Sequence, residues 1–328
     1  MPDLQRAPVL LDVRHLSVHY VAPHQPPARA VENVSFSLRE GEILGLVGES
    51  GCGKTTLMLS LMRLLPAAGR IVDGEVNFLW RDLLALSEAE MADVRWKDLA
   101  MIFQGAMNAL NPVRTIGDQI AEVIVRHNLV GDKVVLDQRV SELLELVGIA
   151  SNRKNQYPHQ YSGGMRQRAM IAMALACAPQ IVIADEPTTA LDVMIQAQIL
   201  ELLVTLRARL GLAVILVTHD LGVVAEICDS VLVMYGGVTA EYADVHTVYN
   251  SPQHPYTQQL LGAFPDVSKP MDKLVAIPGY PPRLDVLPPG CRFAPRCSAA
   301  FDRCGCEEPA LHRLGKAHLV SCHLVESS

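Results

Sequence analysis

The sequence predicts an α/β fold in which helices cover a largely parallel, buried β-sheet. Five short runs stay apolar at every position, which is typical of strands buried on both faces of a sheet. These runs are Ile43–Val47, Leu99–Phe103, Ile181–Ala184, Ala213–Val217 and Val231–Met234. Longer segments with helical periodicity lie between them, so strands and helices alternate along the chain as they do in α/β domains.

Local signals predict where several helices begin and end. Ser87–Glu90 has the pattern of a capping box, in which a serine side chain and a glutamate side chain satisfy each other's backbone amides. Residues 136–147 and 195–210 repeat apolar side chains at helical spacing, and a glycine follows each run. We therefore expect long helices in both places, and a largely helical subdomain over about residues 106–165.

Length and composition favour two domains in a chain that does not cross the membrane. The protein has 328 residues, 50% of them hydrophobic and 19% charged, which suffices for a sizeable core. Its net charge of −7 lacks the basic footprint of a nucleic-acid-binding protein. No apolar run reaches the roughly 18–20 residues that span a bilayer, and the N-terminus shows no signal sequence. Prolines become frequent after residue 250, so we predict domains at residues 1–250 and 251–328.

A glycine-rich segment after the first buried strand predicts a phosphate-binding loop. It matches G-x-x-x-x-G-K-[ST] at every fixed position and precedes a predicted helix, Thr56–Leu65. Glycines let backbone N–H groups turn toward phosphate oxygens, and the helix N-terminus adds partial positive charge. Lys54 would reach the β- and γ-phosphates of a nucleotide, and the Thr55 hydroxyl would bind Mg²⁺. The predicted nucleotide contacts are Gly48, Glu49, Ser50, Gly51, Cys52, Gly53, Lys54, Thr55 and Thr56.

Two adjacent carboxylates follow the buried strand Ile181–Ala184. A phosphate-binding loop needs an acid near its Mg²⁺ and a second group that positions the attacking water. Asp185 fits the acid associated with Mg²⁺, and Glu186 fits the general base that polarises water.

A second anion site is predicted far from the first in sequence. In Tyr161–Arg168, Ser162 is a good N-cap, and Gly163 and Gly164 leave N–H groups open at the start of a helix that runs to about Cys177. This segment resembles the signature sequence of the ATP-binding subunits of ABC transporters, with tyrosine in place of the usual first leucine. The phosphate-binding loop and the acid pair fit the same family. The resemblance covers nearly all of the chain. It implies a P-loop NTPase core of the RecA-like type with an N-terminal antiparallel β subdomain.

The resemblance assigns roles to further residues in family order. Gln104 resembles the Q-loop glutamine that touches Mg²⁺ and water, although Gly105-Ala106 follows it instead of the usual acid–proline pair. Ala190-Leu191-Asp192 resembles the D-loop, with Asp192 at the nucleotide. His219 resembles the switch histidine that contacts the γ-phosphate, and Tyr20 lies where the family has the aromatic side chain that stacks on adenine.

The resemblance also implies an assembly. Two ATPase subunits would lie head to tail, and each ATP would be held by the phosphate loop of one subunit and the signature helix of the other. The implied partners are a paralogous ATPase subunit, two transmembrane permease subunits and an extracytoplasmic solute-binding protein, with no nucleic acid. The chain is then expected at the cytoplasmic face of the inner membrane as a peripheral subunit that binds ATP and Mg²⁺.

The proline-rich tail resembles the C-terminal extension of importer ATPases for oligopeptides and dipeptides. This similarity rests on the segment that begins His254-Pro255-Tyr256 and on a group of cysteines. Nickel and glutathione importers share the extension, so it leaves those solutes open as alternatives to peptides. The family-matching cysteines have five, six and seventeen residues between them, and Cys306 is an additional one. They are Cys291, Cys297, Cys304 and Cys322.

The state of these cysteines has four interpretations. A reducing cytosol disfavours disulfides, and the spacing lacks the C-x₂₋₄-C pattern typical of zinc modules. Free thiols are a third possibility. A 4Fe–4S cluster takes four thiolates at wider spacing, and some dipeptide importer ATPases carry one. We favour the cluster, and we expect it to cross-link and stabilise a tail that is too short to bury a large core.

The most specific function that the sequence predicts is an ATPase subunit that powers the import of peptides or a related small solute. Two other classes stay open at this point. One is a soluble ABC-type ATPase that acts on DNA, ribosomes or repair complexes, against which the acidic charge and the tail argue. The other is a P-loop kinase, in which the signature helix would have no purpose.

Overall fold

The computed structural model describes residues 7–105, 109–189, 191–263, 277–315 and 317–327. Its strands include all five that the sequence predicts, with ends that agree within one residue. In chain order the strands are β1 (Val9–Tyr20), β2 (Ala28–Arg39), β3 (Ile43–Val47), β4 (Gly69–Phe78), β5 (Arg81–Asp82), β6 (Leu99–Ile102), β7 (Ile181–Asp185), β8 (Ala213–Val217), β9 (Ser230–Tyr235), β10 (Val238–Asp244), β11 (His312–Arg313) and β12 (Leu319–Val320).

Two helices begin at the caps that the sequence predicts, which are Ser87 and Ser162. The predicted capping box at Ser87–Glu90 is present, and the long helix before Gly211 ends where that glycine adopts a φ of 66°. In chain order the α-helices are α1 (Lys54–Leu61), α2 (Glu88–Val94), α3 (Ile116–Arg126), α4 (Lys133–Leu146), α5 (Gly163–Ala174), α6 (Val193–Leu210), α7 (Leu221–Ile227), α8 (Val245–Asn250) and α9 (Pro255–Gly262).

Two predicted helices are shorter than expected. The helix after the phosphate loop ends at Leu61 rather than Leu65, because Arg63 adopts a left-handed φ of 50°. The helix after Ser162 ends at Ala174 rather than near Cys177, and Ala178 has a φ of 54°. In both cases apolar side chains continue beyond the last helical residue, so hydrophobic periodicity alone does not mark the end.

The chain divides into two compact units. The first is built mainly from Ala85–Val217, and the second from Val9–Leu38, Ile43–Leu84 and Thr218–Ser328, as far as these ranges are described. The domain boundary that the sequence predicts at residue 250 stays a prediction. In the described parts of both units, no helix is both long and apolar enough to cross a lipid bilayer.

The first unit contains a parallel sheet of buried strands. In this unit β6 pairs with β7, and β7 with β8, all in parallel and with every residue buried. The α5 helix packs against β6, and α3 and α4 pack against each other and against α5. The parallel arrangement and the helical content near residues 116–146 agree with the sequence analysis.

The second unit contains two groups of strands. The antiparallel sheet β2-β1-β4-β5 is the predicted N-terminal β subdomain. The buried strands β3 and β9 pair in parallel, as expected. However, β10 adds to β9 in antiparallel orientation, and β12 and β11 from the C-terminal tail extend the group in the same way. The predicted parallel sheet is therefore mixed in this unit, because hairpin and tail strands join its edge.

A buried carboxylate connects the tail to β10. Glu241 is fully buried and accepts hydrogen bonds from the backbone N–H groups of Gln253 at 2.9 Å and His254 at 3.0 Å. The ring of His318 lies 2.8 Å from the same carboxylate. These bonds fix the segment that leads into α9, and thereby the position of Tyr256.

Candidate nucleotide-binding site

The candidate phosphate-binding loop lies in the second unit, between β3 and α1. Three of its glycines have positive φ angles, which are 150° at Gly48, 79° at Gly51 and 105° at Gly53. A Cβ atom on Gly48 would lie 2.2 Å from the carbonyl oxygen of Met234, and one on Gly53 would lie 2.1 Å from that of Ala30. The loop therefore packs so closely against β9 and β2 that these two positions accept only glycine.

Lys54 is the first residue of α1, and the loop holds its ammonium group. Its Nζ donates to the carbonyl oxygens of Gly48 at 2.6 Å and Glu49 at 3.1 Å. The Lys54 side chain is buried, whereas Ser50 and Thr55 are exposed. Since the start of a helix carries partial positive charge, the loop can present amides, a hydroxyl and a cation to the phosphates of a nucleotide.

Cys52 is a buried member of the loop. Its N–H donates to the carbonyl oxygen of Glu49 at 3.2 Å, and its own carbonyl oxygen accepts from the N–H of Gly237 at 3.0 Å. Burial raises the pKa of its thiol. Cys52 therefore shapes and packs the loop, and the contact with nucleotide that the sequence suggested for it stays a prediction.

Glu49 is held by two residues from the C-terminal part of the chain. Its backbone N–H donates to the Tyr256 hydroxyl at 2.9 Å. Its carboxylate accepts from both terminal nitrogens of Arg296, at 2.5 and 2.9 Å. Tyr256 belongs to the segment that resembles the family's C-terminal extension, and Arg296 directly precedes Cys297, one of the family-matching cysteines. These partners lie 207 and 247 residues from Glu49, and no local pattern connects them to the loop.

Two more predicted residues lie in the second unit. The hydroxyl of Tyr20, at the end of β1, lies 3.2 Å from Oγ1 of Thr56 in α1. This hydrogen bond brings Tyr20 to the helix that starts at the phosphate loop, while its stacking on adenine stays a prediction. His219 is exposed after the buried Thr218, and its contact with phosphate also stays a prediction.

The acid pair lies in the first unit, at the carboxyl end of β7. Asp185 is buried, and Glu186 is partly exposed with a left-handed φ of 45°. Oε2 of Glu186 accepts hydrogen bonds from Nε2 of Gln104 at 2.7 Å and from Oγ1 of Thr189 at 2.8 Å. The structure therefore brings together two predicted residues, Gln104 and Glu186. It adds Thr189, which the sequence analysis missed although it lies only three residues from Glu186.

Glu186 has a backbone conformation that is uncommon for a residue with a side chain. Its N–H donates to the carbonyl oxygen of Val217 at 3.0 Å, which helps to hold the left-handed turn. Strained residues of this kind persist where the surroundings fix them, and they concentrate at functional sites.

Ala106, the second residue of the predicted pair after Gln104, lies outside the described residues.

The candidate signature segment also lies in the first unit. Oγ of Ser162 accepts a hydrogen bond from the N–H of Met165 at 3.3 Å, as predicted for an N-cap of α5. A Cβ atom on Gly164 would lie 2.7 Å from Cγ2 of Ile195 in α6. Gly164 thus lets α5 approach α6 closely, in addition to leaving the helix start uncrowded. Tyr161, the unusual first residue, is buried, and its hydroxyl donates to the carbonyl oxygen of Arg153 at 3.1 Å.

Asp192 has a structural role in this chain. Its Oδ1 accepts a hydrogen bond from the N–H of Ile195 at 2.9 Å and caps α6. A cap of this kind stabilises a helix by about 1 kcal/mol. The nucleotide contact that the resemblance implies for Asp192 stays a prediction, and Ala190 of the same segment lies outside the described residues.

The four family-matching cysteines line one small cavity of the second unit. Cys291, Cys297, Cys304 and Cys322 share it with His254, whereas Cys306 is exposed and does not line it. All eight cysteines of the protein lie in the described ranges, and none of them forms a disulfide there. Across those ranges, no group of three or more His, Cys, Asp or Glu side chains is arranged to hold a metal ion.

The thiols of this cavity influence one another. Burial raises the pKa of Cys291 to about 11, and the neighbouring Cys304 and Cys322 add to the shift. Burial likewise raises the pKa values of Cys297 and Cys322, with further contributions from the other thiols. Because thiolates and not thiols bind metals, loading of this cavity would release protons.

The chain has relatives over almost its whole length. Residues 31–189 match the ABC transporter family, and residues 240–304 match the oligopeptide/dipeptide transporter C-terminal region. The probable peptide ABC transporter ATP-binding protein y4tR of Sinorhizobium fredii is 49% identical, and the match covers 98% of this chain and 97% of that protein. The dipeptide transport ATP-binding protein DppD of Escherichia coli is 46% identical, with 96% of both chains covered.

Solved structures agree with the fold. The dimeric ATP-binding cassette MJ0796, in a post-hydrolysis state bound to ADP and Pi, superposes with a TM-score of 0.64 at 27% identity. The match covers 72% of this chain and 98% of that one. CbiO1 of Clostridium perfringens, part of the transporter complex cbiONQ, gives a TM-score of 0.64 at 26% identity, with 74% and 91% covered. These similarities confirm the α/β core that the sequence predicts.

Proposed function

Since this chain belongs to the ABC transporter ATP-binding proteins that carry an oligopeptide/dipeptide transporter C-terminal region, we propose that it hydrolyses ATP to power the import of di- and oligopeptides. The observation that supports the peptide substrate is that relatives matched over almost their whole length are named for peptide and dipeptide transport. The ABC transporter region at residues 31–189 and the second region at residues 240–304 lie in one chain. A soluble ABC-type ATPase or a small-molecule kinase has no use for the second region.

The phosphate loop would bind the ATP. Lys54 would exchange its bonds to the loop carbonyls for oxygens of the β- and γ-phosphates, and the loop amides would bind the remaining oxygens. The exposed Thr55 hydroxyl and the Asp185 carboxylate are oxygen ligands, which is the donor type that Mg²⁺ prefers. When bound, Mg²⁺ would neutralise phosphate charge. Tyr20 would stack on adenine, and His219 would contact the γ-phosphate.

Glu186 would act as the general base of hydrolysis. Its carboxylate is fixed by Gln104 and Thr189, so it can accept a proton from water without first being ordered. Gln104 would orient the same water through its side-chain amide. In a head-to-tail pair of subunits, Ser162, Gly163, Gly164 and Asp192 would complete the site of the other subunit.

The partners of this chain would be a paralogous ATPase subunit, two permease subunits and an extracytoplasmic solute-binding protein. The chain itself would lie at the cytoplasmic face of the membrane as a peripheral subunit. The test is to purify the intact complex in lipid and to measure its ATPase rate with dipeptides, oligopeptides, nickel or glutathione on the binding protein. We expect peptides to stimulate the rate several-fold. Stimulation by nickel or glutathione alone would reject the peptide substrate.

The cysteine cavity has the donor set of a 4Fe–4S cluster. Four thiols line one cavity, and thiolates are the ligands that such clusters require. The spacing of these cysteines lacks the C-x₂₋₄-C pattern that is typical of zinc modules. We therefore propose the cluster, with Cys291, Cys297, Cys304 and Cys322 as its ligands, on the basis of this donor set. When bound, it would cross-link the tail.

This proposal predicts a loss of iron that depends on which cysteine is changed. Cys304→Ser removes one of the four ligands, so anaerobically purified protein should lose most of its iron, sulfide and brown colour. Cys306→Ser is the matched control, since this thiol is exposed outside the cavity, and it should keep about four irons per chain. Wild-type protein that is colourless, with one zinc per chain or with no metal, would contradict the cluster.

A further inference from the structure

The phosphate loop of this chain contains a carboxylate whose charge is unfavourable for its ligand. Glu49 is the residue directly after Gly48, and its carbonyl oxygen helps to hold the Lys54 ammonium group. ATP brings several negative charges to such a loop. An unpaired carboxylate in the loop would repel these charges and compete with the phosphates for Lys54. Something in the protein therefore has to offset the Glu49 charge.

Arg296 offsets this charge in a geometry that leaves it little freedom. Its two terminal nitrogens bond the two carboxylate oxygens of Glu49, at 2.5 and 2.9 Å, which is the bidentate arrangement. The Arg296 side chain is only 5% exposed, against 25% for Glu49. The hydrogen bonds that Arg296 donates to Glu49 raise the pKa of Arg296, so the guanidinium group stays charged.

The surroundings of Arg296 hold it in place independently of Glu49. Its Nε donates to the carbonyl oxygen of Pro278 at 2.7 Å, and Nη1 lies 3.1 Å from the Tyr235 hydroxyl. The guanidinium carbon also lies 5.6 Å from the centre of the Tyr235 ring, within cation–π distance. The cation is thus positioned by the tail and by β9, and Glu49 is drawn to it.

An aromatic group fixes the backbone of Glu49 at the same time. The Tyr256 hydroxyl accepts the Glu49 N–H, and the Tyr256 ring packs on the rings of Tyr235 and Phe293, at centroid distances of 4.6 and 5.3 Å. Tyr256 is fully buried. His254 supports it: burial lowers the pKa of His254 to about 4, and its neutral Nδ1 accepts the Tyr256 N–H at 3.0 Å.

We propose that Arg296 is a positioning residue for nucleotide binding, which acts by neutralising Glu49 and holding its side chain against the tail. The phosphate loop then meets ATP without an opposing charge and with the Glu49 amide already bonded to Tyr256. Arg296 lies at the end of the turn Ala294–Arg296, directly before Cys297. The segment that carries the cysteines therefore also sets the charge of the phosphate loop. This inference rests on the proposed role of the loop in binding ATP.

The test is a double-mutant cycle on the full chain, with binding of a non-hydrolysable Mg–ATP analogue measured by calorimetry. Arg296→Gln should weaken binding about tenfold, the size expected for one unpaired charge roughly 10 Å from the phosphates at an effective dielectric of about 20. Glu49→Gln removes only the carboxylate charge and leaves intact the loop backbone that would bind phosphate, so this variant should bind at least as tightly as wild type. The double variant should return to within about threefold of wild type, because the repelling charge is then absent.

The matched control is Arg283→Gln. Arg283 forms a bidentate pair with Asp285 in the same tail, at 3.0 and 2.6 Å, but its side chain is 78% exposed and makes no bond to the loop. Its loss should leave nucleotide affinity unchanged. The proposal is wrong if Arg296→Gln binds the analogue as wild type does. It is also wrong if Glu49→Gln fails to restore affinity in the double variant, because Arg296 would then act only by packing.

Two further variants, Arg296→Lys and Lys54→Ala, distinguish a failure of the proposed role of Arg296 from other causes. If Arg296→Gln does not fold, Arg296→Lys replaces it: the charge remains, so the loss should be about threefold and should disappear with Glu49→Gln. A tenfold loss in Arg296→Lys that Glu49→Gln does not relieve overturns the proposal. Lys54→Ala reports on the loop itself. Unchanged binding in that variant would reject the proposed nucleotide site, whereas weak binding there and normal binding in Arg296→Gln would reject only the role of Arg296.

Discussion

Replacement of Glu186 by glutamine should lower the ATPase kcat about 10³-fold and leave Mg–ATP binding within a few-fold of wild type. The amide has nearly the shape of the carboxylate and can still accept hydrogen bonds from Gln104 and Thr189 through its oxygen. It cannot accept a proton from water, so the chemical step loses its general base, whose effect is typically 10²–10⁴-fold. The measurement is steady-state ATPase activity of the assembled complex, with nucleotide binding measured in parallel.

Glu201→Gln is the control for this substitution. Glu201 is exposed on α6 of the same unit and belongs to none of the proposed sites, so the same chemical change there should leave kcat unaltered. Hydrolysis by Glu186→Gln at an undiminished rate would remove Glu186 from the role of base. A parallel loss of nucleotide binding would instead show that the side chain maintains the site's structure.

Gly53→Ala should destabilise the second unit by about 3 kcal/mol and abolish nucleotide binding. The new Cβ atom would lie 2.1 Å from the carbonyl oxygen of Ala30, so the loop or β2 has to move. The φ of 105° at this position is also unfavourable for any residue with a side chain. Strain and overpacking each cost roughly 1–3 kcal/mol. Urea unfolding curves give the change in the free energy of unfolding.

Gly51→Ala separates the effect of the strained backbone from the effect of the close contact. Gly51 has a positive φ of 79°, but a Cβ atom there would meet nothing within 4 Å. Its substitution should therefore lower the free energy of unfolding only by the cost of a left-handed backbone, about 1 kcal/mol. Equal losses of stability in the two variants would show that the contact with Ala30 does not determine the need for glycine at position 53.

The buried strands of the core could be predicted from sequence because they are apolar at every position. The antiparallel additions β10, β11 and β12 could not, since β11 and β12 have two residues each and depend on their partner strand for stability. Helix starts were predictable where a side chain caps the helix, as at Ser87 and Ser162. Helix ends were harder, because the left-handed residue Arg63 has no sequence signature of a helix stop.

In the candidate site, too, some residues could be predicted from the sequence and others could not. Residues in short motifs, such as Lys54 and Glu186, were identified because their spacing follows from local chemistry. The partners of Glu49 were not, because Tyr256 and Arg296 reach it through the fold over more than 200 residues of sequence. A single sequence contains no information on which distant charges meet. The hydrogen bond from Gln104 to Glu186 likewise depends on how β6 and β7 align.

The bonds between Glu49 and the C-terminal tail have a consequence for protein engineering. A chain shortened to end at Asn250, the last residue of α8, would keep every nucleotide motif and still lose both partners of Glu49. The tail therefore cannot be exchanged without changing the contacts of the phosphate loop. Chimaeras that graft the tail of one relative onto the cassette of another should transplant the residues at positions 49, 256 and 296 as one unit.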